Sequence, residues 1–221
     1  MNTRLLTLCL ALGLAACSNT PPTPNWQMNA KSSLERAADA WLSGNSAVEA
    51  VEFARARSEV ARTGQPELVA RVELLRCATR AASLVFEPCA GFDALATDAA
   101  PAEQAYARYL AGQAQAADAP LLPEAHRPLT LATAPESALA NIKDPLSRLV
   151  AAGVLLQRGA ASPAVAELAV NTASAQGWRR PLLAWLQVQQ AWAQAGGAVD
   201  EVARLQRRID LVAPATPSSP K

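Results

Sequence analysis

The sequence predicts an all-α protein of about eight helices with no sheet. Between residues 27 and 212 the strong helix formers Ala, Leu, Arg, Glu and Gln dominate, and strand-like alternation is absent. Apolar residues recur at helical spacing instead, in stretches of about 15 residues that glycine or proline separates. Short helices bury their apolar faces by pairing with a neighbour, so we expect stacked antiparallel helical hairpins.

Glycine and proline mark the ends of the predicted helices. In chain order, these helices are residues 27–43, 46–62, 66–85, 101–112, 146–158, 163–176, 181–195 and 199–212. Gly44-Asn45 ends the first helix as a C-terminal cap does, and Pro66 suits the first turn of the third. Asp144-Pro145 supplies an N-cap and a first helical proline to the fifth. Prolines near residues 117–144 predict an irregular segment containing at most one short helix.

Charged residues on the second and third helices are interpreted as solvated faces. The third helix carries its charges opposite its apolar residues: Glu67, Arg71, Glu73, Arg76 and Arg80. Glu67 and Arg71 have the i,i+4 spacing of a favourable pair. Glu49 and Glu52 lie among arginines on the second helix, so we expect them to face water as well.

The N-terminus has the layout of an export signal. Met1–Ala16 joins Arg4 to a leucine-rich stretch that is too short to span a membrane. Leu14-Ala15-Ala16-Cys17 resembles the lipobox of bacterial lipoproteins, in which the signal is cleaved and the cysteine is acylated. The resemblance implies a signal peptide over residues 1–16 and permanent anchoring through acyl chains on Cys17. The alternative is a plain cleaved signal followed by an unmodified cysteine.

Ser18 follows the lipobox cysteine, and a non-acidic residue there resembles lipoproteins of the outer membrane. This likeness implies an outer-membrane anchor, with the periplasmic face as the expected location. Residues 17–26 form a proline-rich tether, residues 27–212 a single all-α domain, and residues 213–221 a disordered tail.

The charge balance argues against nucleic acid as a partner. Arg4 is the only charged side chain in residues 1–16, so the remaining chain has 19 basic and 19 acidic residues. A chain without net charge has no electrostatic attraction to nucleic acid or to an anionic lipid surface. Membrane attachment is therefore expected only through the acyl chains.

Cys77 and Cys89 are the cysteines that remain once Cys9 leaves with the signal and Cys17 carries lipid. In an oxidising periplasm we expect them to form a disulfide that holds a loop against the end of the third helix. A redox-active pair is the alternative, but such pairs favour Cys-x-x-Cys spacing.

Two segments suggest an internal repeat. Trp41-Leu42-Ser43-Gly44-Asn45 is similar to Tyr109-Leu110-Ala111-Gly112-Gln113, which lies 68 residues later. This offset is twice the 34-residue period of tetratricopeptide repeats, and the segments resemble degenerate repeats of that class. The resemblance implies an α-solenoid whose concave surface binds peptides or protein segments. Gly159 and Gly196, later in the chain, do not keep the period.

No motif of enzymatic chemistry is found. His126 is the only histidine, and it lies in a proline-punctuated loop rather than in the rigid setting of a catalytic triad. The sequence contains no nucleophile elbow, no phosphate-binding glycine loop and no His-Glu-x-x-His. We therefore expect no metal, no cofactor and no catalytic residue.

Trp178, Trp185 and Trp192 are spaced by sevens. Placed on one helical face, they could bind the apolar segment of a partner. Alternatively, Trp185 and Trp192 are core residues, and Trp178 packs against the start of the helix.

These observations favour a membrane-anchored periplasmic scaffold or assembly factor for a cell-envelope machine, acting in secretion, pilus, outer-membrane or cell-wall assembly. The alternatives are a cell-wall-directed enzyme or enzyme regulator, which would need a cleft with a perturbed carboxylate, and a purely structural tether.

Overall fold

A computed structural model describes residues 22–130 and 135–213, and the regular structure of these residues is entirely helical. Its α-helices are α1 (Asn25–Ser43), α2 (Ser46–Ala61), α3 (Pro66–Ala81), α4 (Ala90–Asp93), α5 (Pro101–Leu110), α6 (Glu136–Asn141), α7 (Pro145–Gln157), α8 (Pro163–Gln176), α9 (Arg179–Ala195) and α10 (Val199–Val212). Two 3-10 segments, Ala116–Leu121 and Arg127–Leu129, precede α6. The all-α prediction is confirmed for the described ranges, which contain ten α-helices where about eight were predicted; eight of the ten have at least seven residues. The predicted signal peptide, the predicted acylation site Cys17 and the residues beyond Ala213 lie outside the described residues.

Local capping explains most helix ends. Gly44 adopts a left-handed φ of 96° and ends α1. The side chains of Asn45, Asp144 and Ser162 each accept a hydrogen bond from the backbone N–H three residues later. Pro66 occupies the first turn of α3, where its missing N–H costs no hydrogen bond.

Several predicted ends are displaced: α1 begins at Asn25 instead of residue 27, α5 ends at Leu110 instead of residue 112, and the largest shift is at the end of α3. α3 stops at Ala81 instead of Val85, because the chain turns at Leu84, whose left-handed φ of 59° a helix does not permit. α9 starts at Arg179 instead of Pro181. Proline is tolerated there, because the first N–H groups of a helix have no intrahelical acceptor.

Helices contact their neighbours along the chain, and the first helix also contacts the penultimate one. α1 packs on α2, α2 on α3, α3 on α5 and α7, and α7 through α10 pack in sequence; α1 also contacts α9. At that junction the guanidinium carbons of Arg80 and Arg180 lie 4.1 and 3.7 Å from the ring centroid of Trp41. The indole N–H of Trp178 donates to Asp39 at 3.2 Å.

Apolar side chains form two clusters. The larger one joins α3, α5 and α7–α9 and contains the fully buried Trp185 and Tyr109. Gly153 lets α7 approach α3, since a Cβ at this position would clash with the carbonyl oxygen of Ala81. The smaller cluster lies between α1, α2 and α3: Ala30, Ala37, Phe53, Val60, Val69 and Val72.

The predicted disulfide is present. Cys77 of α3 and Cys89, directly before α4, are bonded, with 5.9 Å between their Cα atoms. The bridge returns the chain to α3 after the turn at Leu84. Gly91 lies two residues after Cys89, and it is so close to the Glu73 carboxylate that a side chain at position 91 would have to displace this carboxylate.

Candidate functional site

Two cavities border Leu75 of α3, and together we term them the Leu75 groove. One has a volume of about 470 Å³ and is lined from α3, α5 and the 3-10 region: Arg71, Leu74, Leu75, Ala102, Glu103, Tyr106, Leu121, Leu122 and Pro123. The other has a volume of about 440 Å³ and is lined mainly from α1, α2 and α3: Trp26, Gln27, Ala30, Lys31, Leu34, Glu35, Ala38, Val60, Leu68, Leu75 and Leu146. Cavities of this size are within the range of ligand sites.

The helix sequences explain the apolar lining. Leu68 and Leu75 are seven residues apart on α3, so they lie on one face two turns apart. Ala30, Leu34 and Ala38 are spaced by four residues on α1, which also places them on one side of their helix. Leu34, Leu68 and Leu75 are only half-buried, because no described helix covers this face. The groove therefore presents apolar surface to solvent.

The Arg71–Glu103 ion pair is the polar feature of the α3–α5 cavity. The Nε of Arg71 donates to Oε1 of Glu103, and the Arg71 side chain is 61% exposed. Glu103 is only 5% exposed, and its Oε2 is buried with no hydrogen-bond partner among the described residues. The terminal nitrogens of Arg71 also form no hydrogen bond with the described part of the chain. The exposed end of Arg71 thus retains hydrogen-bonding capacity toward solvent, whereas Oε2 of Glu103 is enclosed by protein and is not reached from the cavity.

Other carboxylates of α2 and α3 are also buried under arginines. The prediction that their side chains face water is therefore wrong for these residues. Glu49 is 5% exposed and accepts two hydrogen bonds from Arg76, at 2.7 and 3.1 Å. Glu73 is 7% exposed and accepts from Arg57 at 2.7 Å. These arginines lie on a neighbouring helix, and the packed helices exclude water from the carboxylates between them.

Two further charged pairs differ from expectation. Arg71 bonds Glu103 on α5, whereas the sequence spacing favoured Glu67. Glu52 is 9% exposed, and the hydrogen bond from Arg36 at 3.0 Å lowers the pKa of its carboxyl group. Bonds between helices thus take the place of the predicted pair within α3.

His126 is a buried residue, and one of its two ring nitrogens is hydrogen-bonded. It is 2% exposed, and its ring stacks at 4.9 Å from Tyr109 and 5.8 Å from Tyr106. Its Nε2 lies 3.1 Å from the carbonyl oxygen of Ser147, so this nitrogen donates and Nδ1 carries no proton in the neutral ring. Burial lowers the pKa of His126 and raises the pKa of both tyrosines.

The three tryptophans occupy different environments. Trp185 is fully buried, so its core interpretation applies and it offers no surface to a partner. Trp178 precedes α9 and is half-buried, with its N–H bonded to Asp39. Trp192 is half-buried and lines a separate cavity of about 720 Å³ between α8, α9 and α10. They do not form one exposed row, because the packing of α9 buries the central residue.

Across residues 22–130 and 135–213, no three His, Cys, Asp or Glu side chains are grouped as metal ligands. No helix in these ranges is both long and apolar enough to cross a membrane.

No family model, curated protein or solved structure matches this chain.

The sequence identified the apolar helix faces but not the ion pair beside them. Arg71 and Glu103 are separated by 32 residues, and nothing at either position marks it as a partner of the other. Tyr106 and Leu75 carry only the ordinary signal of helical periodicity. The signal present in the sequence is the apolar stripe along each helix. Such a stripe indicates a packed face, but it does not show whether another helix covers that face.

Proposed function

We propose that the protein is a lipid-anchored scaffold of the bacterial outer membrane that binds a protein segment in the Leu75 groove and thereby supports the assembly of a cell-envelope machine. The observation that carries this proposal is the groove itself. It leaves apolar surface uncovered along α1 and α3, and exposed apolar patches of this kind occur at interaction sites. The catalytic alternative has no comparable support.

The finer fold that we propose is a degenerate tetratricopeptide-like stack. The two similar segments end their helices alike: Gly44 and Gly112 have φ values of 96° and 71°. The next N–H bonds back five residues in both, from Asn45 at 2.7 Å and from Gln113 at 2.8 Å. The contact between α1 and α9 departs from an open solenoid, in which each repeat contacts only its neighbours.

The proposed anchor keeps the groove close to the bilayer. Eight positions separate Cys17 from Asn25, where α1 begins, and the next residue, Trp26, lines the groove. An extended proline-rich tether of this length spans at most about 25 Å, at about 3.1 Å per residue. A partner bound here would thus be presented near the membrane surface.

Lipid labelling tests the anchor directly. Cells given a radiolabelled fatty acid should label the wild-type protein but not Cys17→Ala, because Cys17 is the proposed acylation site. Label that persists in Cys17→Ala would contradict the lipoprotein assignment.

Crosslinking tests the scaffold role. In intact cells, the anchored protein should carry a photo-crosslinker whose reaction requires neither a lysine nor a carboxylate on the partner. Purification of its adducts should then recover components of one envelope machine. The control is the same domain exported without a lipid anchor, which should recover less of them because it is not held at the membrane. Recovery of glycan fragments alone would favour a cell-wall-directed enzyme instead.

A further inference from the structure

The Trp192 groove is the cavity of about 720 Å³ between α8, α9 and α10, with a lining that includes Glu167, Asn171, Gln189, Trp192, Ala198 and Arg208. α9 packs against both other helices and contributes Trp192, which is half-buried. The groove thus offers an aromatic ring and several polar side chains to a ligand.

The polar side chains of this groove can donate hydrogen bonds that the described chain does not use. Unlike the enclosed indole nitrogens of Trp41 and Trp185, the nitrogen of Trp192 is accessible to solvent, and it bonds to no described residue. The guanidinium of Arg208 is likewise without a hydrogen bond in the described part of the chain. Indole and guanidinium groups only donate, so they suit a segment with many carbonyl oxygens and few N–H groups. Proline-rich segments have this composition, because proline lacks the N–H.

Residues 214–221, which lie outside the described residues, have the sequence of such a segment. Pro214, Pro217 and Pro220 recur at every third position. A polyproline II helix has three residues per turn, so in that conformation the three prolines lie on one face. Ala213, the last described residue, has a φ of −57° and a ψ of 141°, which are polyproline II values. The chain therefore leaves α10 in the conformation that the proline spacing favours.

The length of this segment matches the groove. Arg208 and Ala198 lie five and 15 residues before Ala213 along α10, which is about 8 and 22 Å at 1.5 Å per residue. Residues 214–221 span about 25 Å at 3.1 Å per residue in the polyproline II conformation. After reversing its direction, the segment can thus run back along α10 over the lining from Arg208 toward Ala198.

Three properties favour this segment over a separate proline-rich ligand. Its only charged side chain is Lys221, and the lining contains the exposed Glu167, which forms no ion pair among the described residues. Direct attachment to α10 gives the segment a high effective concentration at the groove, which a separate ligand would have to exceed. The polyproline II conformation is also populated before docking, so docking costs little conformational entropy.

We propose that residues 214–221 fold back along α10 as a polyproline II segment and occupy the Trp192 groove. The proline face is directed toward the indole ring, and backbone carbonyl oxygens accept hydrogen bonds from Trp192 and Arg208. A proline-rich partner must displace this segment to reach the groove. The proposal depends neither on the Leu75 groove nor on the lipid anchor.

The test uses the full-length protein with p-benzoylphenylalanine in place of Ser218, within the segment. An equimolar mixture of unlabelled and isotope-labelled protein is irradiated in dilute solution, and mass spectrometry maps the adducts. We expect adducts within one chain, at groove positions on α8, α9 and α10.

Matched tryptophan substitutions test the contact at the groove. Trp192→Phe keeps an aromatic ring but removes the indole N–H, and it should decrease the groove adducts about fivefold, the factor that corresponds to the loss of one hydrogen bond. Trp178→Phe, directly before the same helix, should leave the adducts unchanged, because its N–H bonds to Asp39 outside the groove. Circular dichroism melts verify that both variants fold.

Matched substitutions on either side of Ser218 test the segment itself. Pro217→Ala frees the backbone of the undocked segment, and it should decrease the groove adducts about twofold or more. Ser219→Ala, away from the proline face, should leave them unchanged. Because Pro217 lies outside the helices, this comparison stays valid even if Trp192→Phe does not fold.

The outcomes decide the proposal. Groove adducts within one chain that depend on Trp192 and Pro217 support it. Adducts between chains would show that the groove takes the segment of a second copy, and they overturn the proposal. It is also overturned by adducts spread over the surface, by the absence of groove adducts, or by a yield that Trp192→Phe or Pro217→Ala does not change.

Discussion

The Cys77–Cys89 bridge should contribute most of the stability of the segment between α3 and α5. We consider its removal by Cys77→Ala with Cys89→Ala, in a background where Cys9 and Cys17 are serine, so that no other thiol complicates the measurement. Alanine avoids placing an additional polar group at these half-buried positions.

The expected loss follows from the sequence separation of 12 residues. A disulfide that closes a loop of this length lowers the entropy of the unfolded chain by an amount worth about 3 kcal/mol at 25 °C. α4 has only four residues and cannot persist as an isolated helix. Without the bridge, its position depends on the buried Phe92 and on the close contact between Gly91 and Glu73.

Urea denaturation, followed by circular dichroism, measures the free energy of unfolding. The double variant should unfold at a lower midpoint with an increased slope, because its unfolded state is less compact. The parent protein with dithiothreitol should lose about the same stability, and the variant should not respond to the reductant.

Two results would refute this reasoning. A loss below about 1 kcal/mol would mean that the chain-entropy estimate does not apply to this loop. A response of the double variant to dithiothreitol would show that the reductant acts on something other than the bridge.

Three further changes test the buried features. Glu49→Ala should cost about 2 kcal/mol, because it removes the carboxylate that accepts two hydrogen bonds from the half-buried Arg76. Glu35→Ala, at an exposed pair, should cost less than about 1 kcal/mol. Equal urea midpoints for the two variants would refute the burial argument. Gly153→Ala should cost about 2 kcal/mol or more through its clash with α3, while Gly196→Ala, whose nearest neighbour is 3.4 Å away, should be nearly neutral in the same thermal melt. Burial holds the pKa of His126 below its usual 6.5, so the unfolded chain binds the proton more readily, and stability present above pH 6.5 should decline as the pH falls through the lowered pKa. His126→Phe should remove this part of the acid sensitivity, and an unchanged stability–pH curve would contradict it.

Local interactions account for what could be predicted about the fold. Helix ends at Gly44, Pro66 and Asp144 depend on caps and on proline geometry within a few residues, so the sequence alone locates them. The turn at Leu84 was missed because leucine does not signal a left-handed conformation. The disulfide was predictable because the predicted signal peptide and lipid anchor account for Cys9 and Cys17 and leave Cys77 and Cys89 to pair.

Local sequence patterns thus locate the eight longer helices, their order and the disulfide, and they predict the lipid anchor that would place the protein at a membrane. Which polar faces are dry and which apolar faces are open depends on how the helices pack. Glu49 and Glu103 are buried because helices distant in sequence pack over them, while Leu75 remains half-buried because none of the described helices does. Burial depends on contacts between distant parts of the chain, and helical periodicity carries no information about those contacts.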